Sequence, residues 1–242
     1  MLEIVEIIRP ADQGRTTPFL CSACDGMRYF VKGYPASSIG LVKEWMGGNL
    51  AKAFGLPVPE FRLAHLDDAL ANAYDGPQAS ELKGGFVFAS KQIGSVNELR
   101  FETIPQIDKL TRLAVLLFDL WVENEDRTLT ELGGNPNLLW KPDESGLYVI
   151  DHNLIFDPAF NPINFGETHV FKSEFCHKQD DLVEKHDFEE RMKIALDSWK
   201  VAWDKVPSEW LEHNQDYSIF NPDQHFQRLT DEANGAIWLK MP

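Results

Sequence analysis

The spacing of apolar positions changes character near the middle of the chain. In the first hundred residues they fall in short β-like runs. "PFLCSAC" and "MRYFVKGY" lie either side of Asp25-Gly26, and "VPEFRLAHL" and "GGFVFASKQI" repeat the pattern further on. Asp25-Gly26 predicts a two-residue hairpin turn, and the strand after it ends at Lys32. Between the runs, Val42, Trp45, Met46, Leu50, Ala53 and Phe54 keep helical spacing and predict a helix over 41–54. Gly55 and Pro57 supply its stop, and Glu44 falls on the flank of its apolar stripe.

Beyond Gly94-Ser95 the period becomes helical. Leu110, Leu113, Ala114, Leu117, Leu120 and Trp121 predict a deeply buried helix opened by Pro105 and running to Glu123. "NLLW" and "LYVID" around "KPDESG" predict a hairpin, 153–177 an irregular stretch, and 187–203 and 222–233 further helices. A strand-rich lobe over 1–95 and a helical lobe over 96–242 predict an α+β protein with a cleft between the lobes.

Composition narrows the classes without changing that outline. The 242 residues are 43% hydrophobic and 25% charged, an ordinary globular balance. A net charge of −15 excludes a broad nucleic-acid surface, which needs clustered Lys and Arg, but leaves room for a single nucleotide. No apolar run approaches the roughly 18 residues of a membrane span, and "MLEIVEIIRP" carries no basic leader. Three cysteines, an odd number, point to a reducing compartment without a disulfide framework. A cytoplasmic protein with no membrane and no nucleic-acid partner is expected. Cys21-x-x-Cys24 sits in a predicted strand, not at a helix N-terminus, which disfavours a redox motif. Zinc there would need two more ligands, and Cys176-His177 is a far-off and irregular candidate.

The candidate chemistry lies after the buried helix. Asp126 and Arg127 follow it directly, and "NPNLL" heads the next strand. With Leu138 paired to Ile150 and Leu139 to Val149, Asn137 would lie opposite Asp151, about 5 Å across the ladder. Together with Asp126 these side chains form an oxygen-rich set suited to Mg²⁺, with Asn135 an alternative to Asn137. For Arg127, bracing the loop and pairing with an acidic neighbour both stay open.

The chain resembles the HipA-like kinases, a group within the wider protein-kinase-like fold. "YFVKGY", "LVKEWMGGNLAKAFGLPVPEFRL", "FDLWVENEDR", "NPNLLW" and "LYVIDHNLIF" occur in the family's order. The resemblance implies a bilobal kinase-like fold and an ATP- and Mg²⁺-dependent serine/threonine protein kinase. It implies that Lys32 contacts the nucleotide's phosphates and that Glu44 holds Lys32. Gln92, Ile93 and Asp151 join Lys32 at the nucleotide, Asp126 orients or deprotonates the acceptor hydroxyl, and Asn137 and Asp151 hold Mg²⁺.

The implied partners are a protein bearing Ser or Thr and a small protein encoded alongside, as in a toxin-antitoxin pair. "DQGRTTPFL" lacks the Gly-rich loop of ordinary protein kinases, so its backbone or Thr16 and Thr17 would meet the phosphates instead. "TLTELGG" reads as a loop extension, because Asn137 stands eleven residues after Asp126 where protein kinases place the Asn five residues on. A small-molecule or lipid kinase, or a non-catalytic nucleotide-binding protein, would use the same residue types.

Overall fold

The structure, a computed structural model, describes residues 1–11, 18–33, 37–144, 146–177, 182–212 and 220–240; Thr16 and Thr17 lie outside the described residues, as do the side chains of Cys176 and His177. Two compact units are each assembled from separate segments. One gathers Met1–Trp45, Pro59–Gly94 and Val206–Phe220, and the other Met46–Val58, Ser95–Lys205 and Asn221–Pro242.

The first unit is built on strands β1 (Leu2–Pro10), β2 (Phe19–Ala23), β3 (Arg28–Lys32), β4 (Phe61–Leu66) and β5 (Gly85–Lys91). They close into a barrel in the order β1-β2-β3-β5-β4, with β1 antiparallel to β2 and parallel to β4. Closure leaves no free edge. Leu2, Ile4 and Ile7 of β1 meet Phe19, Cys21, Tyr29, Val31, Ala64, Leu66, Val87 and Ala89 in its core. β1 had no expected counterpart. Its two register shifts against β2 break strict alternation, so its pattern reads less cleanly than those of β3 or β4.

The expected two-residue turn is longer than predicted. Ala23 N–H donates to the Met27 carbonyl at 3.0 Å, closing a three-residue loop over 24–26, and Gly26 takes the left-handed φ of 78° that such loops require. Helix α1 (Ser38–Phe54) starts three residues earlier than the apolar spacing suggested, and its residues divide between the two units after Trp45. Helix α2 (Asp68–Ala73) lies between β4 and β5, capped by Asp67, whose side chain accepts from Ala69 N–H at 2.7 Å.

The second unit is organised by helix α3 (Lys109–Val122), in which every residue from Leu113 to Val122 is buried. Pro105 does not open it. Pro105 sits in a preceding 3-10 turn (Phe101–Gln106), and Asp108 accepts from Thr111 N–H at 2.9 Å and so caps the first α-helical turn. Strand β6 (Asn97–Glu98) flanks β9 (Leu138–Lys141), which pairs with β10 (Gly146–Val149), while β7 (Thr128–Thr130) and β8 (Gly133–Asn135) make a separate small hairpin.

Helices α4 (Pro162–Thr168), α5 (Leu182–Asp197), α6 (Trp199–Trp203) and α7 (Pro222–Ala233) complete the unit. α4 falls where an irregular stretch was expected. Its signal is local: Asn161 caps Ile163 and Asn164, and Pro162 takes the first turn. The Phe54, Phe118, Trp121 and Phe188 rings pack together, and Trp121 Nε1 donates to the Leu229 carbonyl of α7 at 3.1 Å. No helix among the described residues is long and apolar enough to cross a membrane.

Candidate active site

Lys32 is the last residue of β3, and Glu44 lies on the second turn of α1. Lys32 Nζ donates to Glu44 Oε2 at 2.9 Å, with only 12% and 4% of their side chains exposed. β3 delivers the lysine because Tyr29 and Val31 turn into the barrel core, which sends Lys32 to the other side of the strand. Gln92 and Ile93 follow β5 and are half-buried, and the Gln92 backbone N–H donates to the Arg28 carbonyl at 2.8 Å.

In the second unit, the loop after α3 holds Asp126 by its backbone and its side chain. Its N–H donates to Asn124 Oδ1 at 3.3 Å. Its Oδ2 accepts from Asn135 Nδ2 at 2.7 Å and from Asn137 Nδ2 at 2.9 Å. The extension "TLTELGG" explains why both asparagines reach it. β7 and β8 fold it into a hairpin with Thr128 opposite Asn135, so the chain returns to Asp126 after nine residues. Gly134 allows the close approach, since a Cβ there would stand 2.4 Å from the Thr128 carbonyl oxygen.

The register of the next hairpin differs from the expected one. Leu138 pairs with Val149 and Leu139 with Tyr148, and Ile150 N–H donates to the Asn137 carbonyl at 3.1 Å. Asn137 therefore faces Ile150, not Asp151. Both Asn137 (φ 47°) and Asp151 (φ 59°) lie just outside the strands in the left-handed region, so strand alternation does not set their directions.

These groups suit a hard cation. Asn135 and Asn137 donate through their amide nitrogens to Asp126, which leaves their amide oxygens as the acceptor ends, and Asp151 adds a carboxylate. One or two carboxylates, an amide oxygen and substrate phosphates are donors that Mg²⁺ accepts. Among the described residues no group of three or more His, Cys, Asp or Glu side chains gathers at one point.

Behind the loop lies a buried polar cluster. Asp119, inside α3, accepts at Oδ2 from Arg127 Nε (2.7 Å) and His169 Nε2 (3.0 Å), and at Oδ1 from Asn124 Nδ2 (3.0 Å). Asp119, Arg127 and His169 have no exposed side-chain surface. Burial opposes ionisation of Asp119, but the Arg127 charge and the His169 hydrogen bond outweigh it and bring its carboxyl down to about 2. His169 Nδ1 accepts from Phe171 N–H at 3.0 Å, so the ring is the neutral tautomer with its proton on Nε2, and burial pushes its pKa down.

Arg127 thus both braces the loop and pairs with an acidic neighbour. Asp119, Asn124 and His169 were missed at the sequence level. The signal for Asp119 was a carboxylate inside "VLLFDLWV", where burial demands a partner.

The loop after Asp151 rests on α1. A Cβ on Gly47 would stand 2.6 Å from His152 Cβ and 2.8 Å from Ile155 Cδ1, so only glycine fits there without a shift. The His152 ring meets Phe118 edge-on, with centroids 6.1 Å apart.

A family model described as HipA-like kinase matches residues 4–241. The solved structure of a Helicobacter pylori proinflammatory kinase, CtkA, is similar over 97% of this chain and 94% of that one, at 15% identity and a TM-score of 0.48. The golgi casein kinase structure is similar over 100% of this chain and 73% of that one, at 10% identity and a TM-score of 0.51, a likeness of fold alone. No curated protein matches.

Proposed function

Because the chain belongs to the HipA-like kinase family, we propose that it is an ATP- and Mg²⁺-dependent phosphotransferase acting on a serine or threonine hydroxyl of a protein. The observation that carries this reading is the largely buried Lys32–Glu44 ion pair at 2.9 Å, which joins a barrel strand to the helix that follows it. Phosphoryl transfer in kinases uses such a pair to hold the nucleotide's phosphates.

On this reading Lys32 binds the phosphates and Glu44 fixes the lysine. Gln92, Ile93 and Asp151 are the further nucleotide contacts that the family resemblance implies. Asp126 aims the acceptor hydroxyl and takes its proton as the oxygen bonds to the γ-phosphorus; the bond to the β-phosphate oxygen breaks and ADP leaves. Asn137 and Asp151 would hold Mg²⁺, which when bound neutralises charge on the phosphates. The anchoring of Asp126 by two amides supports its role, because an aimed carboxylate needs a fixed rotamer.

A small partner protein of the antitoxin kind and a cytoplasmic setting belong to the same proposal. The test is transfer from γ-labelled ATP with Mg²⁺, with the protein alone and with cell lysate, beside Asp126→Ala. Label on a protein band that the variant abolishes supports the reading. Label that appears only on small molecules moves the acceptor to a metabolite. Intact Mg·ATP binding without transfer makes the protein a non-catalytic nucleotide binder.

A further inference from the structure

The buried arginine beside Asp126 touches more than its ion-pair partner. While Nε donates to Asp119, Nη1 donates to three carbonyl oxygens: Pro136 (3.3 Å), Asn137 and Ile150 (3.3 Å). Two of these belong to the peptide planes directly before Asn137 and Asp151. The φ angle of each residue is the rotation of its chain relative to that preceding plane, and both residues take left-handed values of 47° and 59°. Asn and Asp adopt such values more readily than other non-glycine residues, and the carbonyl preceding each is held by the guanidinium. The guanidinium holds the two planes with one nitrogen.

We propose that Arg127 is a positioning residue that sets the placement of the metal-holding side chains Asn137 and Asp151 through the carbonyls of Pro136 and Ile150. The inference rests on the reading of those two side chains as the Mg²⁺ holders. A guanidinium is required because its fork points Nε at Asp119 and Nη1 at the carbonyls at once, whereas a lysine presents one ammonium and cannot span both. Asp119 anchors the fork and is itself held by Asn124 and His169. Val170 N–H donates to the Arg127 carbonyl at 3.0 Å, so the backbone of this residue is tied as firmly as its side chain. Arg127 touches neither nucleotide nor acceptor in this scheme; it acts only through the residues that do.

The test uses Mn²⁺ in place of Mg²⁺, with bound and free ion distinguished by electron paramagnetic resonance, in the presence of a non-hydrolysable ATP analogue. Arg127→Lys is expected to weaken Mn²⁺ binding by about 10- to 100-fold, the usual effect of losing a group that orients metal ligands. Metal-free binding of the analogue should change less than about twofold, since metal-holding geometry is the only thing the proposal alters. Asp119→Asn/Arg127→Met removes both charges together and keeps volume, so it should fold, and it should show the same loss.

Wild-type Mn²⁺ affinity in folded Arg127→Lys and in the folded double variant would overturn the positioning role. So would failure of both variants to fold, which would make the cluster purely structural. Asn137→Ala and Asp151→Ala serve as the separate control. If neither weakens Mn²⁺ binding, the metal-site reading itself fails, and the positioning role with it.

Discussion

Lys32 and Glu44, twelve residues apart, form an ion pair at 2.9 Å between the end of β3 and α1 with little solvent at either side chain. Removing one partner leaves the other charge poorly solvated, a loss on the order of 3–5 kcal/mol for a buried pair. Glu44→Ala is therefore expected to lower the urea midpoint more than Lys32→Ala/Glu44→Ala does. Both should abolish transfer, because the lysine is either misplaced or absent. A loss in Lys32→Ala/Glu44→Ala equal to the sum of the losses in Lys32→Ala and Glu44→Ala would mean that the pair does not couple.

Asp126→Asn should separate aim from architecture. The substituted amide oxygen still accepts from Asn135 or Asn137, so the thermal midpoint should stay close to wild type. Proton acceptance is lost, and transfer should fall by about 10²- to 10⁴-fold. Nucleotide binding measured by calorimetry should persist. Transfer within a few-fold of wild type would remove Asp126 from the chemistry.

Legibility followed the range of the interactions. The placements of Lys32, Glu44 and Asp126 were readable because each sits at the end, on the flank or just beyond a strongly periodic element. Elements with local caps were readable too: α7 spans Pro222–Ala233 as expected, with Asn221 as its cap. The register of β9 and β10 was not, because a one-residue slip keeps the same apolar pattern on "NLLW" and "LYVI". The left-handed turns at Asn137 and Asp151 were invisible for a different reason. The carbonyls just before them, of Pro136 and Ile150, accept from Arg127, which stands 9 and 23 positions away, a contact that no local pattern signals.

His169 predicts an acid-sensitive fold. Its pKa is lowered in the folded state by burial, against an ordinary value of 6.5, so the unfolded chain binds the extra proton first. Stability should therefore decline as pH falls below about 6.5 and continue to decline toward the folded value. Asp119 adds a second loss only between its ordinary 3.8 and its folded value of about 2. His169→Gln keeps a donor for Asp119 but cannot titrate. Its melting temperature should vary less than wild type between pH 7 and 5, and identical slopes for the two proteins would refute the assignment.

The two cysteines of the C-x-x-C should behave as separate thiols. Cys21 is buried in the barrel core, and desolvation with nearby Glu6 pushes its thiol up to about 12. Cys24 is exposed. Iodoacetamide at pH 7.5 on the native protein, read by peptide mapping, should alkylate Cys24 and spare Cys21 until denaturant is added. Equal labelling of both would show that the barrel opens on the timescale of the reaction.

Asn135 and Asn137 both donate to Asp126 Oδ2, but their backbones set them different tasks. Asn137 is 8% exposed, and its carbonyl accepts from Arg127 Nη1 and from Ile150 N–H, which pins it beside the strand leading to Asp151. Asn135 ends the β7–β8 hairpin, where its own N–H donates to Thr128 Oγ1 at 3.3 Å. Asn137 is expected to be the metal holder and Asn135 a brace for Asp126. Asn137→Gly should lose Mg²⁺-dependent nucleotide binding at little cost to stability, since glycine accepts the left-handed φ. Asn137→Ala should show the same loss and destabilise by about 1–2 kcal/mol more. Asn135→Ala should slow transfer through a less fixed Asp126 while leaving the Mg²⁺ dependence of binding unchanged. If Asn135→Ala abolishes the Mg²⁺ dependence and Asn137→Gly preserves it, the hairpin extension supplies the ligand and the roles exchange.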